Sequence, residues 1–157
     1  MSIEKVKEYF KQFGIEDKII ELSQSSATVE LAAIALGCEG QRIAKTLSFL
    51  VEEKPILVVA AGDAKIDNKK YRTFFNAKAK MISFEEVEKY IGHNVGGVCP
   101  FGINSDVKVY LDDSLKRFNT VFPACGSSNS AIELTNDELQ KYSSNFVDWV
   151  DVCKLPE

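Results

Sequence analysis

The chain has little of what metal centres and histidine-based active sites are usually built from. It has a single histidine, His93, and four cysteines, Cys38, Cys99, Cys125 and Cys153, none of them in a C-x-x-C pair. Zinc sites draw on Cys and His at short, regular spacings, so no metal is expected, and no cofactor motif stands out. In a reducing compartment such thiols read as four free cysteines. Long hydrophobic runs are missing too: the longest, such as residues 56–61, fall far short of the roughly 20 apolar residues that a membrane-spanning helix needs. A surplus of positive charge is also absent. Lys and Arg total 19 against 23 Asp and Glu, for a net charge of −4, which argues against a protein whose whole surface grips a long polyanion. Any contact with nucleic acid must then be local, or shared with a partner. Residues 1–13 show neither a signal-peptide nor a transit-peptide pattern, so a cytoplasmic protein is expected.

What is present is ordinary globular material, with 157 residues, 45% of them apolar and 27% charged. A chain of this length buries roughly two thirds of its unfolded surface without staples, so a single domain over residues 1–157 is expected. Ser2 is placed to cap a helix whose apolar positions Ile3, Val6, Tyr9, Phe10 and Phe13 recur at threes and fours and end at Gly14. A short strand over residues 18–22 follows, then Thr28 as cap of a helix over residues 29–36 that stops at Gly37. Strands over residues 43–51 and 55–61 flank Glu52-Glu53-Lys54, a hairpin turn. Helices over residues 67–75 and 83–90 flank a short strand at 80–82. Strands are expected at 108–111, 120–123, 131–134 and 146–152, with Thr135 and Glu138 forming a capping box for a helix over 136–142. The fold class is therefore α+β, with a mixed and mostly antiparallel sheet, because the strands arrive in hairpins rather than in strict alternation with helices.

Lys45 is the sharpest oddity. Alternation puts Ile43, Lys45, Leu47 and Phe49 on one face of their strand, the face that should meet the core, and an ammonium there is costly unless acceptors meet it. Two environments satisfy that demand: a pocket, or a sheet edge from which the side chain snorkels to water. The segment Gly96-Gly97-Val98-Cys99-Pro100-Phe101-Gly102 is too rich in glycine for a helix or a regular strand, and the nearby Gly92 adds to this. Such a loop suits recognition by main-chain atoms, and it equally suits a tight connection between strands. It lacks the spacing of a phosphate loop. Cys99 invites a nucleophile reading, with His93 as its only available base; a structural thiol is the simpler alternative. Asp63, just past a strand end, is placed either to orient Lys45, to meet a substrate amine, or to serve as a plain turn residue. Asp112-Asp113 reads as a turn or helix cap.

In order and spacing, several segments together resemble the YbaK/ProX family of aminoacyl-tRNA editing domains, related to the insertion domain of bacterial prolyl-tRNA synthetases. The segments are Ser26-Ala27-Thr28-Val29, Ile43-Ala44-Lys45-Thr46-Leu47, Gly62-Asp63, the stretch from Gly92 to Gly102, Val121-Phe122-Pro123-Ala124-Cys125-Gly126 and Ala131-Ile132-Glu133-Leu134. The likeness covers nearly the whole chain and implies a barrel-like sheet with flanking helices. It also implies that Lys45 is the residue needed for deacylation, and that the loop containing Gly97 and Pro100 holds the aminoacyl group. Thr46 is similar to the branch acting on cysteinyl-tRNA(Pro), where the alanine-specific branch tends to carry asparagine. Two departures stand out: cysteine at 99 where serine is common, and a turn, Gly126-Ser127-Ser128-Asn129, with no basic residue.

The resemblance implies a hydrolase for small amino acids, Cys, Ala or Ser, wrongly esterified to tRNA(Pro). Its partners would be the 3′ end of aminoacyl-tRNA and a prolyl-tRNA synthetase, with no membrane. An aminoacyl ester is already activated, so one cation and a positioned attacking oxygen are enough. Two other classes stay open at this point: an accessory module that binds an aminoacyl ligand or a synthetase without turnover, and a hydrolase dependent on Cys99.

Overall fold

Nine consecutive strand-forming residues, Ile43–Val51, and eight more, Lys54–Ala61, form the long central hairpin of the fold. In the computed structural model, which describes residues 2–156, these are β2 and β3 of ten strands and five α-helices. Before them come α1 (Ser2–Lys11), β1 (Ile20–Glu21) and α2 (Val29–Leu36). After them come β4 (Lys65–Ile66), α3 (Asn68–Phe75), α4 (Val87–Ile91), β5 (Lys108–Asp112), β6 (Thr120–Pro123), β7 (Ser130–Ala131) and β8 (Leu134–Thr135). The chain closes with α5 (Asn136–Tyr142), β9 (Phe146–Val150) and β10 (Cys153–Lys154).

Six strands pair in the order β8-β6-β2-β3-β5-β9. The sheet is mixed: β2/β3 and β6/β8 run antiparallel, while β2/β6, β3/β5 and β5/β9 run parallel. Two short antiparallel pairs, β1/β7 and β4/β10, complete the ladders, so antiparallel pairings lead among the described residues although parallel ones lead within the large sheet. Parallel pairing follows burial. β3 is buried from Pro55 to Ala61, and a strand apolar on both faces is what a covered parallel neighbour demands.

Local chemistry sets the helix ends. The Thr28 hydroxyl accepts from the Leu31 N–H, and Gly37 closes α2 in the left-handed conformation. Asp67 caps α3 through the N–H groups of Lys69 and Lys70. Thr135 and Glu138 form the reciprocal capping box of α5. The Ser2 cap expected for α1 rests on a side chain outside the described residues. Helix α4 is shorter than expected because residues 83–86 form a turn before it. The 80–82 strand is reduced to one bridge, Phe49 to Met81. The expected strand over 131–134 is split into β7 and β8, which pair with different partners.

One large core joins the sheet to α1, α3, α4 and α5. Phe10 of α1 meets Phe101 at 4.8 Å between ring centroids, and Phe49 of β2 meets Tyr71 of α3 at 5.1 Å. A smaller cluster seats α2 on the other end of β2, where Ala32 packs with Ile43 and Phe122. Lys45 thus leaves β2 between the α2 contact at Ile43 and the α3 contact at Phe49, on the face that alternation assigned to it.

Candidate active site

The outer edge of β2 is covered twice and left open once. At one end β6 runs alongside it, with Ile43 opposite Phe122 and Ala44 opposite Pro123, before Ala124 turns away to bridge Ala131. At the other end the Leu50 N–H donates to the Lys80 carbonyl (2.9 Å) and the Ile82 N–H to the Ser48 carbonyl (3.1 Å). Even-numbered residues of β2 therefore turn their peptide groups away from β3. Thr46 is the even position between the two covers, so its N–H and C=O meet a hollow rather than a strand. Its hydroxyl is also buried with no partner among the described residues. Buried polar atoms are nearly always bonded, and a cluster of unused ones marks a place where something binds.

The hollow has a volume of about 400 Å³, within the range of small-ligand sites. Val29, Ala32 and Leu36 of α2 form one wall, and Lys45, Thr46 and Leu47 of β2 form the floor. Gly96, Val98 and Phe122 close it, and the exposed side chains of Met81, Phe84 and Val95 stand at the rim.

Lys45 is half-buried, and its Nζ donates to the carbonyl oxygens of Gly62 (3.3 Å) and Ala64. An ammonium has three N–H donors, so one remains for a ligand. Burial lowers the Lys45 pKa below that of an ordinary lysine, the neighbouring Lys65 adds to this, and Asp63 opposes it. Gly62 is needed for close approach: a Cβ there would lie 2.1 Å from the Gly40 carbonyl oxygen. Of the environments open to a lysine on this strand, the one found is a pocket with acceptors, not a snorkelling edge.

The glycine-rich loop divides into two parts. Gly96 and Val98 line the hollow, and Gly96 takes a φ of +93° that favours glycine. The remaining residues anchor the loop. A Cβ on Gly97 would meet the Gly126 carbonyl carbon at 2.5 Å, so the backbones of the two loops lie in direct contact. The Cys99 side chain is fully buried and donates to the Phe101 carbonyl at 3.6 Å. The Pro100 carbonyl accepts from the Ser144 N–H (2.7 Å), Phe101 packs in the core, and the Gly102 N–H donates to the Ser144 hydroxyl oxygen (3.1 Å). His93 is buried, with Nε2 2.6 Å from the same Phe101 carbonyl, and braces the loop from behind.

These placements bear on the other sequence candidates. Burial raises the Cys99 pKa to about 12, and the thiol does not reach the hollow, so a reactive thiolate there is not supported. Asp63 stands outside the hollow with its carboxylate bound by Arg117, which holds its pKa below the usual value. Asp112 is the cap that was expected: its carboxylate accepts from the N–H groups of Ser114 and Val152. No group of three His, Cys, Asp or Glu side chains converges in metal-binding fashion among the described residues. Sequence reasoning missed the rim formed by Met81, Phe84 and Val95, and also Arg117. The rim had a readable signal, since the apolar residues Met81 and Phe84 fall in a polar, turn-rich stretch. Arg117 had none.

The same fold occurs in known proteins. Residues 23–142 match the family described as the aminoacyl-tRNA editing domain. The uncharacterized protein YwhH of Bacillus subtilis (strain 168) is 57% identical over 155 residues, covering 98% of each chain. The proline–tRNA ligase of Limosilactobacillus fermentum is 29% identical over 143 residues, which are 87% of this chain but only 23% of the ligase. The crystal structure of a candidate trans-editing enzyme for prolyl tRNA synthetase superposes with a TM-score of 0.82 at 29% identity, covering 94% of this chain and 95% of that one. No helix among the described residues is long and apolar enough to cross a membrane. With three quarters of its length matched to the family and a near full-length relative at 57% identity, the chain belongs to the aminoacyl-tRNA editing domain family.

Proposed function

We propose that the protein is a deacylase that hydrolyses the ester between a wrongly attached amino acid and the 3′ end of a transfer RNA. The observation that carries this reading is the Lys45 ammonium, held on two backbone carbonyls at the floor of the hollow, beside the open peptide group of Thr46. The third N–H of Lys45 donates to the ester carbonyl and stabilises the oxyanion as it forms; a single such donor contributes about 10²- to 10³-fold in comparable sites. Thr46 C=O and N–H orient the α-amine and the carboxyl end. Water attacks the carbonyl carbon directly, or a ribose hydroxyl or the substrate's side-chain oxygen or sulfur attacks first and water then opens the ester or ring so formed. The ester C–O bond to the ribose then breaks, the proton passes to the ribose oxygen, and free tRNA leaves.

The apolar wall of Val29, Ala32, Leu36 and Phe122 fits the side chain of a small amino acid such as Cys, Ala or Ser. Discrimination is steric and modest, because one methylene is worth about 1–3 kcal/mol. The likeness to part of a proline–tRNA ligase supports tRNA(Pro) as the carrier and the synthetase as a working partner, and these roles belong to the cytoplasm. The test is deacylation of tRNA(Pro) charged with each small amino acid. Lys45→Ala should lose about 100-fold or more, and Lys45→Arg should retain part of the rate. Undiminished turnover in Lys45→Ala would overturn the assignment, and binding without turnover by the parent would select a carrier module instead.

A further inference from the structure

Cations gather on one face of this acidic chain. Residues 65–80 contain Lys65, Lys69, Lys70, Arg72, Lys78 and Lys80 against the single carboxylate of Asp67. The β4/β10 ladder adds to this by setting Lys65 directly opposite Lys154, a like-charged cross-strand pair that is unfavourable unless an anion lies over it. Beyond it, Lys69, Arg72 and Lys78 line a second hollow of about 490 Å³ together with Asn68 and Ala79, and no carboxylate faces into it. The nearby acids are already engaged: Asp67 caps α3, Asp151 pairs with Lys70, and Glu53 pairs with Lys80. Lys65, Lys69, Arg72, Lys78 and Lys154 are all exposed and form no direct ion pair among the described residues, Asp67 acting on Lys154 only at longer range.

This basic band touches the candidate active site at two points. Lys65 follows Ala64, whose carbonyl holds the Lys45 amine. Ala79 borders the basic hollow, and Met81, two residues on, stands at the rim of the active-site hollow, a reach of about 7 Å at most. The turn over residues 126–129, packed against Gly96 and Gly97, offers no cation.

Taking the deacylase reading as its basis, we infer that this band, from Lys65 and Lys154 through Lys69 to Arg72 and Lys78, is where the acceptor-stem phosphates of the tRNA lie while the ester rests at Lys45. The chemistry is that of backbone recognition: lysines and one arginine without shape-specific pockets for bases contact phosphates and position the duplex, and carry no sequence information. A local band of this kind reconciles RNA binding with a net charge of −4.

The test uses an RNA hairpin with a single-stranded 3′ end, read by fluorescence anisotropy over a range of salt, together with deacylation of full tRNA and of an aminoacyl ester of adenosine. The K69E/R72E/K78E variant should bind the hairpin at least about 10-fold more weakly, with a shallower dependence on salt, by roughly 0.7–0.9 of a log unit for each phosphate no longer neutralised. Its kcat/KM should fall on tRNA but not on the adenosine ester. K7E/K11E/K18E, with the same charge change on the α1 side, should bind like the parent. Milder K69Q/R72Q/K78Q changes should give an intermediate loss, which guards against a folding defect. Parental hairpin affinity at every salt concentration in K69E/R72E/K78E would overturn the inference, as would loss of binding to anionic lipid vesicles alone. Loss of hairpin binding in a protein that deacylates nothing would keep this surface and discard the hydrolase. Lys45-dependent turnover with an unchanged K69E/R72E/K78E variant would do the reverse.

Discussion

Arg117 holds Asp63 with both arms of its guanidinium, Nη2 at 2.6 Å and Nη1 at 3.1 Å from the two carboxylate oxygens. The clamp fixes the turn between β3 and β4, whose Gly62 and Ala64 carbonyls hold the Lys45 amine. Ser114 ties the same turn from the side, its hydroxyl accepting from the Ala61 N–H at 3.1 Å. Asp63 therefore holds the carbonyls that bind Lys45, favours its charge through space, and lies outside the lining of the hollow.

The first prediction follows from that geometry. Asp63→Ala and Arg117→Ala should each cost about 1 kcal/mol of stability, the scale of a charge-assisted bond that is partly exposed. Each should reduce deacylation less than Lys45→Ala does. Since both remove the shared ion pair, and Arg117→Ala also removes the bond from Nε to the Ser114 carbonyl, the double variant should resemble Arg117→Ala, a coupling that a double-mutant cycle reads directly. Additive losses in stability and rate would show that the two residues act separately.

His93 sets an acid limit on stability. Burial lowers its pKa below the ordinary 6.5, and the nearby Lys5 adds to this, against the bond to Phe101. The unfolded chain therefore takes up a proton on this imidazole at a higher pH than the folded chain does. Stability should be complete above about pH 6.5 and fall as the pH drops below it, by up to about 1.4 kcal/mol per pH unit. As His93 is the only histidine, His93→Gln should flatten thermal melting temperatures over that window while leaving the deeper carboxylate-driven loss intact. An unchanged slope would remove His93 from this role.

The four thiols should separate by burial. Desolvation raises the pKa of all four, but Cys99, Cys125 and Cys153 are buried, whereas Cys38 is partly accessible on the α2 side. A maleimide applied to the native protein should label Cys38 alone, read as one adduct by intact mass, and all four should react in denaturant. Cys99→Ser should keep most of the deacylase rate. Rapid native labelling of Cys99 coupled to loss of activity would revive the nucleophile reading.

What the sequence made legible was local. The cap at Thr28, the stop at Gly37, the capping box at Thr135 and the β2/β3 hairpin are written in neighbouring residues, and each appears where expected. Lys45 was legible for the same reason, as a charge on an apolar strand face. What escaped was non-local. β4 and β10 are two residues each, and their pairing joins segments nearly ninety residues apart, so no periodicity could announce either. The parallel β3/β5 and β5/β9 pairings are likewise tertiary choices that a hairpin-based reading undercounts. The glycine-rich loop was visible as a unit, yet only packing against Gly126, Ser144 and the core decides that Gly96 and Val98 face the hollow while Cys99 and Phe101 turn inward.

The β2/β3 turn is correct in position and poor in chemistry. Val51 pairs with Lys54, so Glu52 and Glu53 form a two-residue loop, and both take positive φ, +51° and +67°. That conformation suits Asn-Gly and strains ordinary side chains by about 1 kcal/mol or more each. Replacing Glu52-Glu53 with Asn-Gly should stabilise the protein by about 1–2 kcal/mol and raise Tm by a few degrees, with activity unchanged. No gain in a denaturant titration would mean that the strain is relieved elsewhere, for instance through the Glu53–Lys80 pair.

Gly97 offers the sharpest test of the loop's divided role. Its would-be Cβ meets only backbone atoms, the Gly126 carbonyl carbon and oxygen and the Ser127 nitrogen, all at 2.5–2.6 Å, and backbone cannot rotate aside as a side chain can. Gly97→Ala should therefore push the two loops apart, at the cost of about 1–3 kcal/mol typical of overpacking. Gly96 and Val98 sit on either side of it in the wall of the hollow, so the displacement should reach the ligand as a raised KM, with kcat reduced less because Lys45 is anchored elsewhere. Val98→Ala, which shortens a lining side chain without a clash, should alter the preference among small amino acids at nearly full stability. Parental stability and KM in Gly97→Ala would show that the contact with Gly126 does not hold the wall in place.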